Sequence, residues 1–112
     1  MMKINELKND NVVILELEGR LDSSSLSDIE SRLPGLIASG EQNILLDFSR
    51  LDYINSAGLR VLILAGKQLR KTGGRIVLCS MQEYIKEVFD ISGFSNFFKI
   101  LGSQSEALEA FR

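Results

Sequence analysis

Residues 43–71 read NILLDFSRLDYINSAGLRVLILAGKQLRK. Asn43–Phe48 is a short apolar run, the mark of a strand covered on both faces. Residues 51–54 (LDYI) lead into a different period. From Ala57 to about Lys71 the pattern is helical: Leu59, Leu62, Ala65, Gly66 and Leu69 make one stripe, with Val61 and Leu64 beside it. Lys67, Arg70 and Lys71 suit the negative pole of the helix, and Gly73-Gly74 supplies a stop. A buried strand that feeds a helix is the repeating unit of an α/β fold.

Downstream the unit recurs. Arg75–Cys79 (RIVLC) is a second buried strand. Ser80-Met81-Gln82-Glu83 has the form of a capping box, Ile85, Val88 and Phe89 line the helix it opens, and Ser92-Gly93 stops that helix. Phe97–Leu101 reads as a last strand. Ser103-Gln104-Ser105-Glu106 caps a short final helix carrying Leu108 and Phe111.

Upstream, Lys3–Lys8 alternates weakly, as an edge strand does. Val12–Leu17 puts Leu15 and Leu17 on one face, with Glu16 and Glu18 on the other. Asn9-Asp10-Asn11 is turn chemistry, which predicts an antiparallel hairpin, and Gly19 marks the end of its second strand. DSSSLSDIE (22–30) has the signature of a helix start, and Leu26, Ile29, Leu33, Leu36 and Ile37 share one helical face. Pro34 removes a backbone donor, so a kink or break is expected there, with the helix ending before Gly40. The order β-β-α-β-α-β-α-β-α predicts a mostly parallel sheet, made mixed by the hairpin. One domain over residues 1–112 is expected.

Composition narrows the function. The 112 residues carry a net charge of −2, which argues against nucleic-acid binding. The group Lys67, Arg70, Lys71 and Arg75 reads as a solvated helix end. The N-terminal MMKINELKND has no apolar core of the kind a signal peptide needs, and no apolar run is long enough to cross a bilayer. With Cys79 as the only cysteine no internal disulfide can form, and a reduced, cytoplasmic setting is expected.

The chain has no histidine, which removes the commonest general base and metal ligand together. Ser56 then has no partner for a Ser-His-Asp triad, and its surroundings do not match a nucleophile elbow. No phosphate-binding glycine loop is present: Gly66-Lys67 is followed by Gln68 and lies inside a helix. No catalytic residue, cofactor site or metal site is expected. Asp47 lacks the acidic pair and late lysine that a response-regulator phospho-acceptor requires.

Ser56 itself has two readings. Asn55 or Ser56 could cap the helix that starts near Ala57 by accepting a first-turn N–H. Three neighbours fit a second reading. Leu59 stands where a capping box would carry Glu or Gln, Gly58 leaves the first turn bare, and Arg60 lies near the positive helix end. A phosphate on Ser56 would reconcile all three, meeting the helix N-terminus and Arg60 at i+4.

The runs GRLDSSS (19–25), LLDFSRLDYINSAGLRVLI (45–63), GGRIVLC (73–79) and VFDISGF (88–94) resemble a STAS domain. More narrowly, they resemble the stand-alone anti-sigma factor antagonists of bacteria. The resemblance implies a mixed sheet of four to five strands flanked by about four helices. It also implies an anti-sigma factor partner that is a serine kinase of the GHKL type, and a PP2C-type phosphatase that reverses its action. In the family motif Asp-Ser-Ser/Thr-Gly-Leu, Ser56 falls on the phosphorylated serine, Gly58 on the glycine and Leu59 on the leucine. Asn55 replaces the acid and Ala57 the second hydroxyl, and Arg60 stands where some members carry a small residue.

Asp22 matches the family's Gly-x-Leu/Ile-Asp motif, whose acid lies on the partner-binding face; it could equally cap the helix after Ser23. The partner-binding set implied is Asp22, Ser23, Asn55, Ala57, Gly58, Leu59 and Arg60, with Ser56 phosphorylated. Asp90 and Gly93 match the F-D-x-[ST]-G stretch, where Gly93 also reads as a helix stop. Two functions follow: a partner-switching regulator inactivated at Ser56, or a non-phosphorylated STAS scaffold, for example in a lipid-transport complex, with Ser56 only a cap.

Overall fold

The computed structural model describes residues 2–112. Five strands and four helices follow in the expected order: β1 (Met2–Asn9), β2 (Val12–Leu21), α1 (Leu26–Ala38), β3 (Asn43–Ile54), α2 (Ser56–Lys71), β4 (Arg75–Cys79), α3 (Glu83–Ile91), β5 (Lys99–Leu101) and α4 (Gln104–Glu109). The strands lie in one sheet in sequence order, β1-β2-β3-β4-β5. β1 and β2 are antiparallel through a tight turn at Asp10 (φ 54°), and every other pair is parallel.

The alternation of side chains sorts the strands into two faces. Leu15, Leu17, Ile44, Leu46 and Phe48 pack with Ile29 and Leu33 of α1, Leu62 and Leu69 of α2, and Phe89 of α3. On the other face Val12, Ile14, Leu45, Val77 and Cys79 meet Ala107 of α4, with Leu108 and Phe111 against them. One face is therefore covered by three helices and the other by a single short one.

Three local expectations are corrected, and the one at Pro34 is narrowed. Gly19 does not end β2. The strand runs to Leu21 through register shifts, and Gly19 takes a φ of 105°, which a side chain would disfavour. Pro34 does not break α1, which is continuous from Leu26 to Ala38. The carbonyl that Pro34 leaves without its N–H partner belongs to Glu30, on the exposed side, while Ile29, Leu33 and Ile37 anchor the other.

The capping box at Ser80 does not form. Ser80 adopts φ 61° and its N–H donates to the Leu101 carbonyl, so α3 begins after Gln82. Gln82 Nε2 instead donates to the Leu51 carbonyl at 3.1 Å. The last strand is shorter than expected, because Phe94–Asn96 forms a 3₁₀ turn. Phe98 is drawn into the core, its ring 5.9 Å from that of Phe89. The Ser103 cap does form, its Oγ accepting the Glu106 N–H at 3.2 Å.

Candidate functional site

β2 and β3 end side by side, with Arg20 opposite Tyr53 and Leu21 opposite Ile54. The Asn55 N–H then donates to the Leu21 carbonyl at 3.2 Å, which fixes the mouth of α2 beside the loop that leaves β2. This pairing brings two distant stretches of sequence, Asp22-Ser23 and Asn55–Arg60, to one edge of the molecule.

Asn55 is the N-cap of α2. Its backbone is extended (φ −107°, ψ 179°), and its Oδ1 accepts the Gly58 N–H at 3.0 Å. The capping reading of Ser56 is thereby corrected: Ser56 is the first helical residue, and Asn55 holds the cap. The Ser56 side chain is exposed and makes no hydrogen bond to any described residue. An α-helix leaves its first amides without internal acceptors. Here Asn55 and Gly58 have partners, which leaves the Ser56 and Ala57 N–H groups open at the surface.

Gly58 plays a different part from the one its sequence position suggests. It is buried, and a Cβ there would stand 2.7 Å from Leu21 Cγ and 3.1 Å from the Leu21 carbonyl oxygen. Glycine is required by packing against β2, and the Gly58 amide is already occupied. Leu59 is buried as well, so these two residues set the position of the helix and present little surface. Ser56 and Arg60 are exposed, and Asn55 and Ala57 are partly so. Arg60 has no carboxylate within ion-pair range among the described residues.

Asp22 does not cap α1. Its Oδ1 accepts from the Ser24 N–H at 3.0 Å and the Ser24 hydroxyl at 2.6 Å, closing the turn before the helix. Ser25 is the N-cap residue of α1, but its Oγ donates to the Arg20 carbonyl and accepts the Asp22 N–H. The Ser24 hydroxyl holds the Asp22 carboxyl below its ordinary pKa, with help from the Ser24 amide and Arg20. Arg20 Nε lies 3.3 Å from Asp22 Oδ2, and its guanidinium stacks 4.2 Å from the Tyr53 ring centroid. Ser23 is exposed between them and the helix.

Arg20 and Tyr53 were not singled out by sequence, since only the strand register puts them together. Asp90 is set apart from the edge in its contacts: it pairs with Lys86 at 3.5 Å, and Gly93 (φ 81°) follows the end of α3. Asp47 is buried on the sheet face under α4, where Gln104 Nε2 donates to its Oδ2 at 2.8 Å.

The edge thus presents an unencumbered hydroxyl at a helix N-terminus, beside a fixed carboxylate and two arginines. No cluster suited to a metal exists among the described residues. No described helix is long and apolar enough to cross a membrane.

The STAS domain model matches residues 3–107, and the chain belongs to that family. It is 41% identical over 111 residues to BtrV of Bordetella bronchiseptica, a protein whose name assigns it to the anti-sigma factor antagonists. That match covers 99% of this chain and 96% of BtrV. Among solved structures, the Thermotoga maritima protein TM1081, assigned by name to the same class, superposes with a TM-score of 0.90 at 25% identity, over 96% of this chain and 92% of that one. The phosphorylated form of the Bacillus cell fate determinant SpoIIAA shares the fold, with a TM-score of 0.77 at 22% identity over the full length of both chains.

Proposed function

We propose that the chain is an anti-sigma factor antagonist. It binds an anti-sigma factor that is also a serine kinase of the GHKL type, and it is inactivated when that kinase phosphorylates Ser56. A PP2C-type phosphatase restores the free hydroxyl. The exchange takes place in the cytoplasm and requires no catalysis by this chain. The kinship with BtrV supports the antagonist assignment. The phosphorylated form of SpoIIAA, a protein of the same fold, supports the mode of control.

One observation carries the choice of Ser56. Asn55 takes the capping duty, so the Ser56 hydroxyl has no structural task and faces solvent. A phosphoryl group there would meet the open amides of Ser56 and Ala57 and the positive pole of α2, with Arg60 one turn along. It would be accommodated without unfolding. Its effect on binding is electrostatic: close to two negative charges appear on the face made by Asp22, Ser23 and the start of α2. The scaffolding alternative gives Ser56 only a capping role, and that role belongs to Asn55.

The test is phosphorylation by the partner kinase with ATP, followed by site mapping. Phosphate on Ser56, with partner capture lost in Ser56→Asp and kept in Ser56→Ala, is the expected result. Modification confined to another residue would overturn the assignment of Ser56. Equal capture by the wild type and Ser56→Asp would count against the switch, with allowance for the smaller charge of Asp.

A further inference from the structure

Ser56 heads a row along the outer surface of α2. At about 100° per residue, Ser56, Arg60, Leu64, Lys67 and Lys71 fall within an arc of about 80°, and all of them are exposed. From Arg60 to Lys71 the row is about 17 Å long at ~1.5 Å per residue. Arg60, Lys67 and Lys71 have no carboxylate within ion-pair range among the described residues. Lys3 and Lys99 share that property, so what marks the three is their alignment on one helix face. Arg70 leaves the row: its Nη2 donates to the Phe97 carbonyl at 2.7 Å.

The charge of this face has one sign. Residues 53–82 hold Arg60, Lys67, Arg70, Lys71 and Arg75 and no Asp or Glu, in a chain whose net charge is −2. The acids stand on the two other helices of the same sheet face: Asp28 and Glu30 are exposed on α1, and Glu83, Glu87 and Asp90 on α3. Leu64 sits inside the row, 54% exposed, with Arg60 one turn before it and Lys67 one turn after. A lone exposed leucine is ordinary on a protein surface. Here the aliphatic stems of the flanking cations widen it into an apolar knob rimmed by positive charge.

We propose that this row docks a ridge of carboxylates on the anti-sigma factor kinase, with an apolar notch on that partner taking Leu64. The inference rests on the antagonist reading given above, and it extends the partner face from the Ser56 edge along the full length of α2. Complementary charge of this kind steers encounter and fixes register. A bilayer or a nucleic acid presents a broad anionic surface, which would also meet the acids of α1 and α3. A narrow acidic ridge on a protein meets the row alone. The row also gives the switch its direction. A phosphate on Ser56 would stand at its head, engage Arg60 and repel the carboxylates that Lys67 and Lys71 attract.

The test measures affinity of the full chain for the kinase that phosphorylates it on Ser56, by biolayer interferometry. Lys67→Glu should weaken binding about tenfold, Lys67→Gln by less, and Leu64→Gln about fivefold. Lys3→Glu and Lys99→Glu make the same charge change away from the row and should stay within about twofold of the wild type. Wild-type affinity should fall as salt rises, and that of Lys67→Glu should fall less. Wild-type affinity in Lys67→Glu overturns the proposal, as does an equal loss in Lys3→Glu. Binding to phosphatidylglycerol vesicles that Lys67→Glu abolishes, with kinase affinity unchanged, assigns the row to a lipid surface and also overturns it. The two readings fail separately. Equal binding by the wild type and Ser56→Asp counts against the switch, whereas loss in Ser56→Asp beside an unchanged Lys67→Glu overturns the docking row alone.

Discussion

Asn55 Oδ1 accepts the Gly58 N–H at 3.0 Å, and this bond leaves the Ser56 hydroxyl free of any structural role. Removing the cap should therefore cost stability where removing the hydroxyl does not. Asn55→Ala is expected to destabilise the fold by about 1 kcal/mol, whereas Ser56→Ala should stay within about 0.5 kcal/mol of the wild type. Asn55→Asp keeps the acceptor and adds a charge that the helix N-terminus favours. Urea denaturation of the three variants checks the order.

Gly58 is held against Leu21, with 2.7 Å between a hypothetical Cβ and Leu21 Cγ. Gly58→Ala has to move the end of β2 or the start of α2. A loss of about 1–3 kcal/mol is expected, despite the better helix propensity of alanine. Thermal unfolding gives the sign directly, and a stabilised variant would show that the contact yields freely.

Gln104 Nε2 bridges two carboxylates, Glu16 Oε2 at 3.1 Å and Asp47 Oδ2 at 2.8 Å, and so pins α4 to the sheet. Gln104→Ala should cost about 1–3 kcal/mol, because the buried Asp47 loses the donor to its Oδ2 and keeps only the Ser49 N–H on Oδ1. Gln104→Glu should cost more at neutral pH, since it sets a third carboxylate beside the other two. Urea denaturation at pH 7 ranks the two variants.

Cys79 is fully buried on β4, and burial pushes its thiol up to about 11. The native thiol should resist alkylation near pH 8 and become reactive on unfolding. The unfolded chain releases this proton near pH 9 and the folded chain only near 11. The contribution of Cys79 to stability is thus undiminished below pH 9 and falls as the pH rises toward 11. Cys79→Ala should flatten that part of the stability profile.

The Asp22 carboxyl is lowered chiefly by the Ser24 hydroxyl. The sign is that of a depressed acid: the stabilisation is present above the ordinary carboxyl pKa and is lost as the pH falls through the folded value. Ser24→Ala should move the Asp22 titration upward, toward an unperturbed carboxyl. An NMR titration of the side chain in both proteins reads the difference.

Much of the fold was legible because its signals are local. NILLDF and RIVLC are apolar on both faces, and the stripe from Leu59 to Leu69 has a helical period. Pairing with neighbours only confirms such elements. The errors arose where a distant contact overrides a local signal. Ser80 gives its N–H to Leu101 and so forfeits its cap, Gly19 passes through a bulge forced by pairing with β3, and Pro34 is carried by the buried side of α1.

The candidate site divides in the same way. The sequence by itself determined that Ser56 stands at a helix mouth with no histidine to activate it, because composition and period are local facts. Only the tertiary structure decided that Gly58 serves Leu21, and that Arg20, Asp22 and Tyr53 share the edge with Ser56. Those relations rest on the parallel register of β2 against β3, and a register joins residues about thirty positions apart that no local pattern connects.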